Sequence, residues 1–265
     1  MLNQLAPDLW VADQPLSVLG IQLGTRMTVV RLGSSGLFIH APIPLTPALQ
    51  RELDDLGPVQ AVVAPNAMHH LYIGDYMKAY PQAQFFTAEG VAKKRPELRF
   101  NGVLGDRPEF LWGSDIDQLP IRGCPKLSEV AFLHRASRTL IVSDWLFNFS
   151  SRASGPDSAS RASGPDSSPQ ASEAPHRSLL TRFYLRLTGA WGGPRQSRLL
   201  RAVITDKEAA RASTERLLAW DFDRIIVCHG DILETGGHTA LREATAWLRP
   251  AEPAGATAAF AAPDP

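Results

Sequence analysis

Four side chains in this sequence could bind a metal ion, and each follows a short apolar segment. They are His69, His70, Asp144 and His229. Imidazole nitrogens and carboxylate oxygens are ligands for zinc, and they also suit iron and manganese. A bound metal ion can acidify a coordinated water and polarise an ester, amide or phosphoester oxygen. On residue types alone, metal binding is therefore one hypothesis for these side chains, and capping of their loops by hydrogen bonds is the other.

The three apolar segments before these side chains are predicted to be buried strands. Residues 59–64, 139–143 and 224–228 are short runs rich in apolar and β-branched residues, and each is ended by a polar or turn-forming residue. Because ligands bind at the carboxyl ends of strands in open α/β sheets, three such ends can bring the four side chains together. This arrangement requires a layered α/β fold.

Capping residues mark helices between the strands. Thr46 is predicted to be the N-cap of one helix, because a threonine oxygen can accept from the first free backbone N–H groups. Thr205 and Glu208 match a capping box, which predicts a helix that runs to about Trp220. Residues 129–143 are predicted to form a β-hairpin.

The overall composition limits the class of protein. The chain has 265 residues, of which 44% are hydrophobic, so it can bury a sizeable core. The formal net charge is zero, so we expect a small-molecule substrate or ligand and neither nucleic acid nor a membrane as partner. The chain start does not resemble a signal peptide, and no apolar run is long enough to span a bilayer, so a cytoplasmic location is expected. Cys124 and Cys228 do not have the spacing of a thiolate zinc site.

We expect one domain over residues 1–250, interrupted by a flexible insertion. Residues 151–158 and 160–167 repeat the sequence Ser-Arg-Ala-Ser-Gly-Pro-Asp-Ser. This polar duplicate cannot bury enough apolar surface to offset the entropy of ordering, so residues 150–176 are predicted to be a flexible insertion. Residues 251–265 are rich in alanine and proline and are predicted to be a disordered tail.

The order of these elements resembles the metallo-β-lactamase superfamily, and more narrowly an uncharacterised branch whose histidine loop is Pro-Asn-x-x-His-His. That loop is residues 65–70 here. Residues 143–147, Ser-Asp-Trp-Leu-Phe, are similar to the Gly-Asp-x-Leu-Phe segment that holds the bridging aspartate, and His229-Gly230 is similar to the closing His-Gly. The resemblance covers residues 5–150 and 200–248, and it implies a four-layer αββα sandwich.

The resemblance also implies that half of a two-metal site is missing. Setting His70 on the last histidine of the superfamily loop puts His69 at an aspartate position, and it puts Pro65 and Ala67 where two earlier histidines stand. The middle histidine should lie within residues 123–129, which contain no histidine. The residues available there are Cys124, Lys126 and Glu129. The ligands of the first metal are therefore lost, and those of the second are kept.

The retained residues predict at most one divalent metal ion per chain, with zinc first, iron or manganese as alternatives, and a metal-free chain left open. The expected ligands are His70, Asp144 and His229, with His69 as a fourth ligand or a close partner of one. The first hypothesis is a mononuclear metal-dependent hydrolase of unknown substrate, in which Asp144 ligates and assists as a base. The alternative is a non-catalytic domain of the same fold that acts as a binding module, either metal-free or with a structural metal.

Two other histidines follow predicted strands. His40 and His134 are expected to be surface or loop residues, because strands of this kind open into loops at their ends. His40 stands where the superfamily has the aspartate of an Asp-Thr-Gly, so it could also line the mouth of the site.

Overall fold

The computed structural model describes residues 1–149 and 177–249, and these form a mixed α/β structure. The predicted insertion and the predicted tail lie outside the described residues. The strands in chain order are β1 (Asn3–Ala6), β2 (Leu9–Gln14), β3 (Ser17–Val18), β4 (Ile21–Gln22), β5 (Thr25–Arg31), β6 (Leu37–His40), β7 (Val59–Ala64), β8 (Gln84–Thr87), β9 (Gly102–Val103), β10 (Ile116–Pro120), β11 (Val130–His134), β12 (Thr139–Ile141), β13 (Phe147–Phe149), β14 (Gly193–Arg195) and β15 (Arg224–Ile226). The helices are α1 (Pro47–Leu56), α2 (Ile73–Ala79), α3 (Val91–Lys94), α4 (Leu179–Leu187), α5 (Arg198–Val203), α6 (Lys207–Leu218) and α7 (Gly237–Ala244).

Two large sheets form the centre of the molecule. The first has seven strands in the order β1-β2-β5-β6-β7-β8-β9. Within it β6, β7, β8 and β9 run parallel to one another, while β5 and β6 pair antiparallel. The second has four strands in the order β10-β11-β12-β15, of which β12 and β15 are parallel. Three of the parallel strands, β7, β12 and β15, precede the predicted site residues. Their carboxyl ends can therefore carry the site.

The two sheets pack face to face over a shared apolar core. Phe38 of β6 and Phe132 of β11 are fully buried between the sheets, with ring centroids 5.4 Å apart. The ring of Trp112 packs edge-on against Phe38 at 5.2 Å. Burying a side chain of this size contributes about 2–3 kcal/mol to stability. This layer of aromatic and aliphatic side chains holds the strand ends of both sheets in a fixed relation.

Helices cover the outer face of each sheet. Leu53 of α1 and Tyr76 of α2 pack on the first sheet, and Leu217 of α6 and Leu241 of α7 pack on the second. All four side chains are fully buried. The architecture is therefore the four-layer αββα sandwich that the resemblance implied.

The predicted helix caps have different outcomes. Thr46 caps α1 as expected, because its Oγ1 accepts from the backbone N–H of Leu49. The capping box at Thr205 is wrong: α6 begins at Lys207, and the carboxylate of Asp206 accepts from the backbone N–H of Ala209. The backbone N–H of Thr205 instead bonds to the carbonyl of residue 123, which draws this residue out of the helix.

The hairpin of β11 and β12 confirms the predicted strand pair. His134 pairs with Thr139 and Phe132 pairs with Ile141 in an antiparallel register. Among the described helices, none combines the length and the apolar character needed to cross a membrane.

Candidate metal centre

Three of the four predicted residues meet at the carboxyl ends of the parallel strands. The loop after β7 carries His69, the segment after β12 carries Asp144, and the segment after β15 carries His229. One ligand atom from each lies within 4.8 Å of the others. All three side chains are at least 87% buried, since Asp144 is the most exposed of them at 13%. Two strands of one sheet and one of the other thus cooperate to build the cluster.

The carboxylate of Asp144 lies between the two imidazoles. His69 Nε2 is 3.4 Å from Asp144 Oδ2, and His229 Nε2 is 3.2 Å from Asp144 Oδ1. His229 Nδ1 lies 2.6 Å from the carbonyl oxygen of Gly24. A carbonyl can only accept, so Nδ1 carries a proton and a neutral His229 directs the lone pair of Nε2 at the carboxylate. Two facing acceptors need a cation between them, either a proton or a metal ion.

His70 does not join this group. Its ring Nδ1 lies 3.4 Å from Arg95 Nη1, and the same guanidinium donates to the His70 carbonyl oxygen at 3.1 Å. Burial, together with the charges of Arg95 and Lys94, lowers the pKa of His70. The structure therefore brings His69, rather than His70, together with Asp144 and His229.

Asn66 orients both the histidine loop and Asp144. Its side-chain oxygen accepts from the backbone N–H groups of Met68 and His69, at 2.9 and 2.8 Å, in the manner of an Asx turn. Its amide nitrogen donates to Asp144 Oδ2 at 2.7 Å. Asn66 is fully buried, so one amide fixes two of the three clustered residues. The asparagine beside the paired histidines was visible in the sequence, but its double role was not.

Glu129 fixes the backbone of the segment that carries Asp144. Its carboxylate accepts from the backbone N–H groups of Ser143 and Asp144, at 2.7 and 2.8 Å, and from Asn66 Nδ2 at 3.3 Å. Burial, followed by the nearby Asp144 carboxylate, raises the pKa of Glu129 to about 7 against the opposing effect of these backbone donors. Glu129 thus holds the aspartate loop in place and does not offer a ligand to the cluster.

Electrostatic interactions within the cluster shift the pKa values of Asp144 and His69. Burial disfavours the charge on Asp144, yet the adjacent imidazoles, His69 first, outweigh it and hold the pKa of Asp144 well below its usual value. Burial likewise disfavours a charged His69, but the Cys228 sulfur and the Asp144 carboxylate raise the pKa of His69 well above 6.5. The arrangement therefore favours an ionised carboxylate next to a positive charge.

A buried arginine fixes the loop that carries His229. Arg26 Nη1 donates to the carbonyl oxygens of Val227 and Gly230, at 2.8 and 3.0 Å. Its other terminal nitrogen pairs with Asp13 at 2.8 Å. This arginine on β5 was not singled out from the sequence, because nothing in its local pattern shows that it reaches the other sheet.

The positions that the resemblance assigned to a first metal do not form a ligand cluster among the described residues. Ala67 is buried and Pro65 directly follows β7, and neither side chain has an atom that could bind a metal ion. Cys124 donates through its sulfur toward the Val203 carbonyl at 3.6 Å, while Lys126 is exposed. Within the described residues, one group of three or more possible ligands is found, and it is the one built on Asp144.

A cavity of about 500 Å³ opens beside the cluster and is mostly apolar. His69, Asp144 and His229 all contribute to its wall. The opposite wall comes from α4 and from the β3–β4 hairpin, neither of which was predicted from the sequence. The apolar lining residues of these elements are Leu16, Val18, Leu23, Tyr184 and Leu185.

The prediction that His40 and His134 are surface or loop residues is wrong. His40 is fully buried and His134 is 2% exposed, because the two sheets close over the ends of β6 and β11. His134 Nδ1 lies 2.7 Å from the Ser137 hydroxyl. Neither ring nitrogen of His40 has a hydrogen-bond partner among the described residues, and His40 does not line the cavity.

Comparison with solved structures places the fold in a known class. A metallo-beta-lactamase from Pontibacter korlensis has 10% identity and a TM-score of 0.59, with 94% of this chain and 98% of that chain covered. One from Hirschia baltica has 11% identity and a TM-score of 0.57, covering 95% and 98%. A metal-soaked Flv1 flavodiiron core from Synechocystis has 11% identity and a TM-score of 0.58, covering 94% and 60%. At such identities the likeness establishes the fold alone.

Fold and cluster together define the class, which is the metallo-β-lactamase fold with a possible His-Asp-His metal site. Within that class the chain belongs to the family described as Domain of unknown function (DUF4336), whose model matches residues 7–158, more than half of the sequence. A search of curated proteins finds no significant match.

Proposed function

We propose that this protein is a mononuclear metal-dependent hydrolase whose ligands are His69, Asp144 and His229. One observation carries the proposal: two imidazole Nε2 atoms face the two oxygens of one buried carboxylate, at 3.4 and 3.2 Å. The His229 tautomer is set by the carbonyl of Gly24, as ligating histidines generally have their second nitrogen bonded to a carbonyl or carboxylate.

The donor set fits zinc. Two neutral imidazoles and one carboxylate form a common three-ligand set for catalytic zinc, which leaves a fourth position for water or substrate. Iron and manganese also accept these ligands, so the identity of the metal belongs to the proposal and its test. When bound, such an ion supplies Lewis acidity and a water of lowered pKa.

The chain's own residues supply the position and the surroundings of the reaction. Asn66 donates to the Asp144 carboxylate, and Glu129 accepts from the Asp144 backbone N–H. Together these bonds hold Asp144 beside the two imidazoles. Asp144 stays ionised, and in this form we propose that it also assists as the base by orienting the attacking water. The cavity beside it is mostly apolar, and a substrate that displaces water from it would strengthen the electrostatic interactions inside. We further propose that the substrate is a small molecule and that the protein works in the cytoplasm.

The metal content of the purified protein tests the ligand set. Protein prepared without added metal should contain about one equivalent by elemental analysis. His69→Ala should lose the ion, while His70→Ala, one residue further along the same loop, should retain it. His134→Gln is a second control, because its ring bonds to Ser137 far from the cluster. Two equivalents of metal, or loss on His70→Ala with retention on His69→Ala, would contradict the assignment.

A separate measurement tests the chemistry. Metal-loaded protein is assayed against general ester and lactone substrates, with Asp144→Asn as the matched inactive variant. Replacing one ligand and base should lower the rate by a factor of about 100 or more. Metal binding with no activity on any such substrate would favour the alternative, a non-catalytic domain of this fold with a structural metal. The missing ligands at Pro65 and Ala67 are the observation that supports that alternative.

A further inference from the structure

Helix α4 presents an apolar face to solvent. Leu179, Leu180, Phe183 and Leu187 are 81%, 57%, 66% and 59% exposed. They recur at three- and four-residue intervals, so they form one stripe along the helix. The opposite face is well packed, since Thr181 and Leu185 are buried. The core covers only the buried face of α4, so the exposed apolar stripe would need a second apolar surface to remove it from water.

The tip of the β3–β4 hairpin extends this stripe. Its turn residues, Leu19 and Gly20, both have positive φ, at 50° and 80°. A leucine is uncommon in that conformation, which favours glycine, asparagine and aspartate, yet here it is 96% exposed. The hairpin is fixed to the helix, because the backbone N–H of Gln22 donates to the Thr181 hydroxyl at 3.0 Å. The chain therefore holds a leucine in solvent next to the apolar face of α4.

Positive charge surrounds this apolar surface. Residues 177–205 contain six arginines and no aspartate or glutamate. Arg182 and Arg186 are exposed on α4 itself and both approach the ring of Trp191, at 5.8 and 5.6 Å. The zero net charge of the whole chain conceals this local excess.

The same segment also concentrates arginines beyond the helix. The remaining four arginines are Arg177, Arg195, Arg198 and Arg201. Burial, followed by the charges of Arg195 and Arg198, lowers the pKa of Arg201. A local excess of positive charge of this kind attracts an anionic partner.

We propose that α4 and the β3–β4 hairpin dock on the surface of an anionic lipid bilayer. The exposed stripe and Leu19 would enter the boundary between headgroups and acyl chains, and the arginines would remain among the headgroups. A short helix with leucine and phenylalanine on one side and arginine beside them is typical of interfacial binding. This departs from the expectation, based on net charge, that no membrane is involved.

A second copy of the chain fits this surface less well. A two-fold interface places the same patch against itself, so the arginines of one copy would meet those of the other. An anionic bilayer offers complementary charge and an apolar interior at once. Docking would also orient the cavity toward the membrane, since Tyr184 and Leu185 of α4 line its wall. The proposal concerns the outer surface and holds whether or not the centre binds a metal.

Vesicle sedimentation of the full chain tests the proposal. The wild-type protein should bind vesicles of phosphatidylcholine mixed with phosphatidylserine, and it should bind phosphatidylcholine alone about tenfold more weakly. Phe183→Glu should weaken binding to the mixed vesicles by about tenfold or more, because it places a charge in the apolar stripe. Phe110→Glu is the matched control: Phe110 is 100% exposed but lies between β9 and β10.

A second pair of variants tests the charge. Arg182→Gln combined with Arg186→Gln should weaken binding about tenfold, and the loss should shrink at high salt. Arg51→Gln combined with Arg99→Gln removes the same charge from exposed positions elsewhere and should leave binding unchanged. An unchanged melting temperature shows that each variant remains folded.

Three outcomes would overturn the proposal. The first is a wild-type chain that binds neither kind of vesicle. The second is an equal loss of binding in Phe183→Glu and Phe110→Glu. The third is a dimer in sedimentation velocity that Phe183→Glu dissociates without any vesicle binding, which would assign the surface to a second copy.

Discussion

His69 and His70 are neighbours in the chain, but their surroundings are opposite. His69 faces Asp144 and His229, whereas His70 faces Arg95. The bonds from the Asn66 side chain to the backbone N–H groups of Met68 and His69 set the loop conformation that separates the two rings. A motif with adjacent histidines thus supplies one possible ligand and one residue that packs at the loop edge.

Gly230 allows the backbone beside His229 to approach the β13 strand. Its φ is +96°, and a Cβ built on it would lie 2.1 Å from the carbonyl oxygen of Asn148. Because neither backbone can move freely, Gly230→Ala should destabilise the fold by about 3 kcal/mol or more. The positive φ alone would account for only about 1–2 kcal/mol of this loss. Urea denaturation measures the change.

Gly236→Ala is the control for this prediction. Gly236 also has a positive φ, +75°, but nothing lies within 4 Å of a Cβ built there. It should therefore show the conformational strain alone, about 1–2 kcal/mol. Equal destabilisation by the two substitutions would mean that the close approach to Asn148 is not important.

Helix α6 shows how tertiary contacts select between two possible caps. Thr205 and Asp206 are both good N-cap residues, and the sequence pattern favoured Thr205 because of Glu208. The backbone N–H groups of both residues bond to the carbonyl of residue 123, and only Asp206 remains placed to accept from Ala209. The connection to the loop after β10 therefore decides where the helix begins.

Substitutions at the two positions test this cap. Asp206→Ala should lower the free energy of unfolding by about 1 kcal/mol, because it leaves a backbone N–H without its acceptor. Thr205→Ala should change it by less than about 0.5 kcal/mol, since this hydroxyl makes only a 3.5 Å contact with the residue 123 carbonyl. Chemical denaturation of both variants gives the comparison. A larger effect for Thr205→Ala would return the cap to the position that the sequence pattern favoured.

At the scale of the whole molecule, the two sheets bury the imidazole of His40 without a hydrogen-bond partner among the described residues. His40 is fully buried against Phe132, and neither of its nitrogens has a partner among the described residues. Burial, followed by the nearby His69, lowers the pKa of His40 to about 3. The folded protein therefore keeps this ring neutral at pH values where the unfolded chain protonates it.

This buried ring predicts a loss of stability in acid. With a folded pKa below the unfolded value of about 6.5, the unfolded state binds the extra proton, so stability falls as the pH drops from 6.5 toward 3. Between pH 7 and pH 5 the contribution of His40 should be a loss of about 2 kcal/mol. His40→Leu, which cannot titrate, should lose correspondingly less over this range in urea denaturation at both pH values. An identical pH dependence in the variant would show that His40 finds a proton acceptor in the fold.

Much of the architecture could be predicted from the sequence. The buried strands, the hairpin before Asp144 and the cap at Thr46 follow from local patterns of apolar, turn-forming and capping residues, and such patterns act over a few residues. The four-layer αββα sandwich followed from the order of the elements together with the resemblance to the metallo-β-lactamase superfamily, and the polar residues after the strands indicated the edge at which a site would lie.

Other features were decided only by contacts between segments far apart in the chain. Arg26 and Gly24 reach the loop of His229 across more than 200 residues, and Glu129 reaches Asp144 from the neighbouring strand. Helix α4 lines the cavity because its buried face contacts the β3–β4 hairpin. The sequence by itself determined which residue types stand at the strand ends. The tertiary structure decided which of them meet, because loop direction and burial depend on the packing of both sheets.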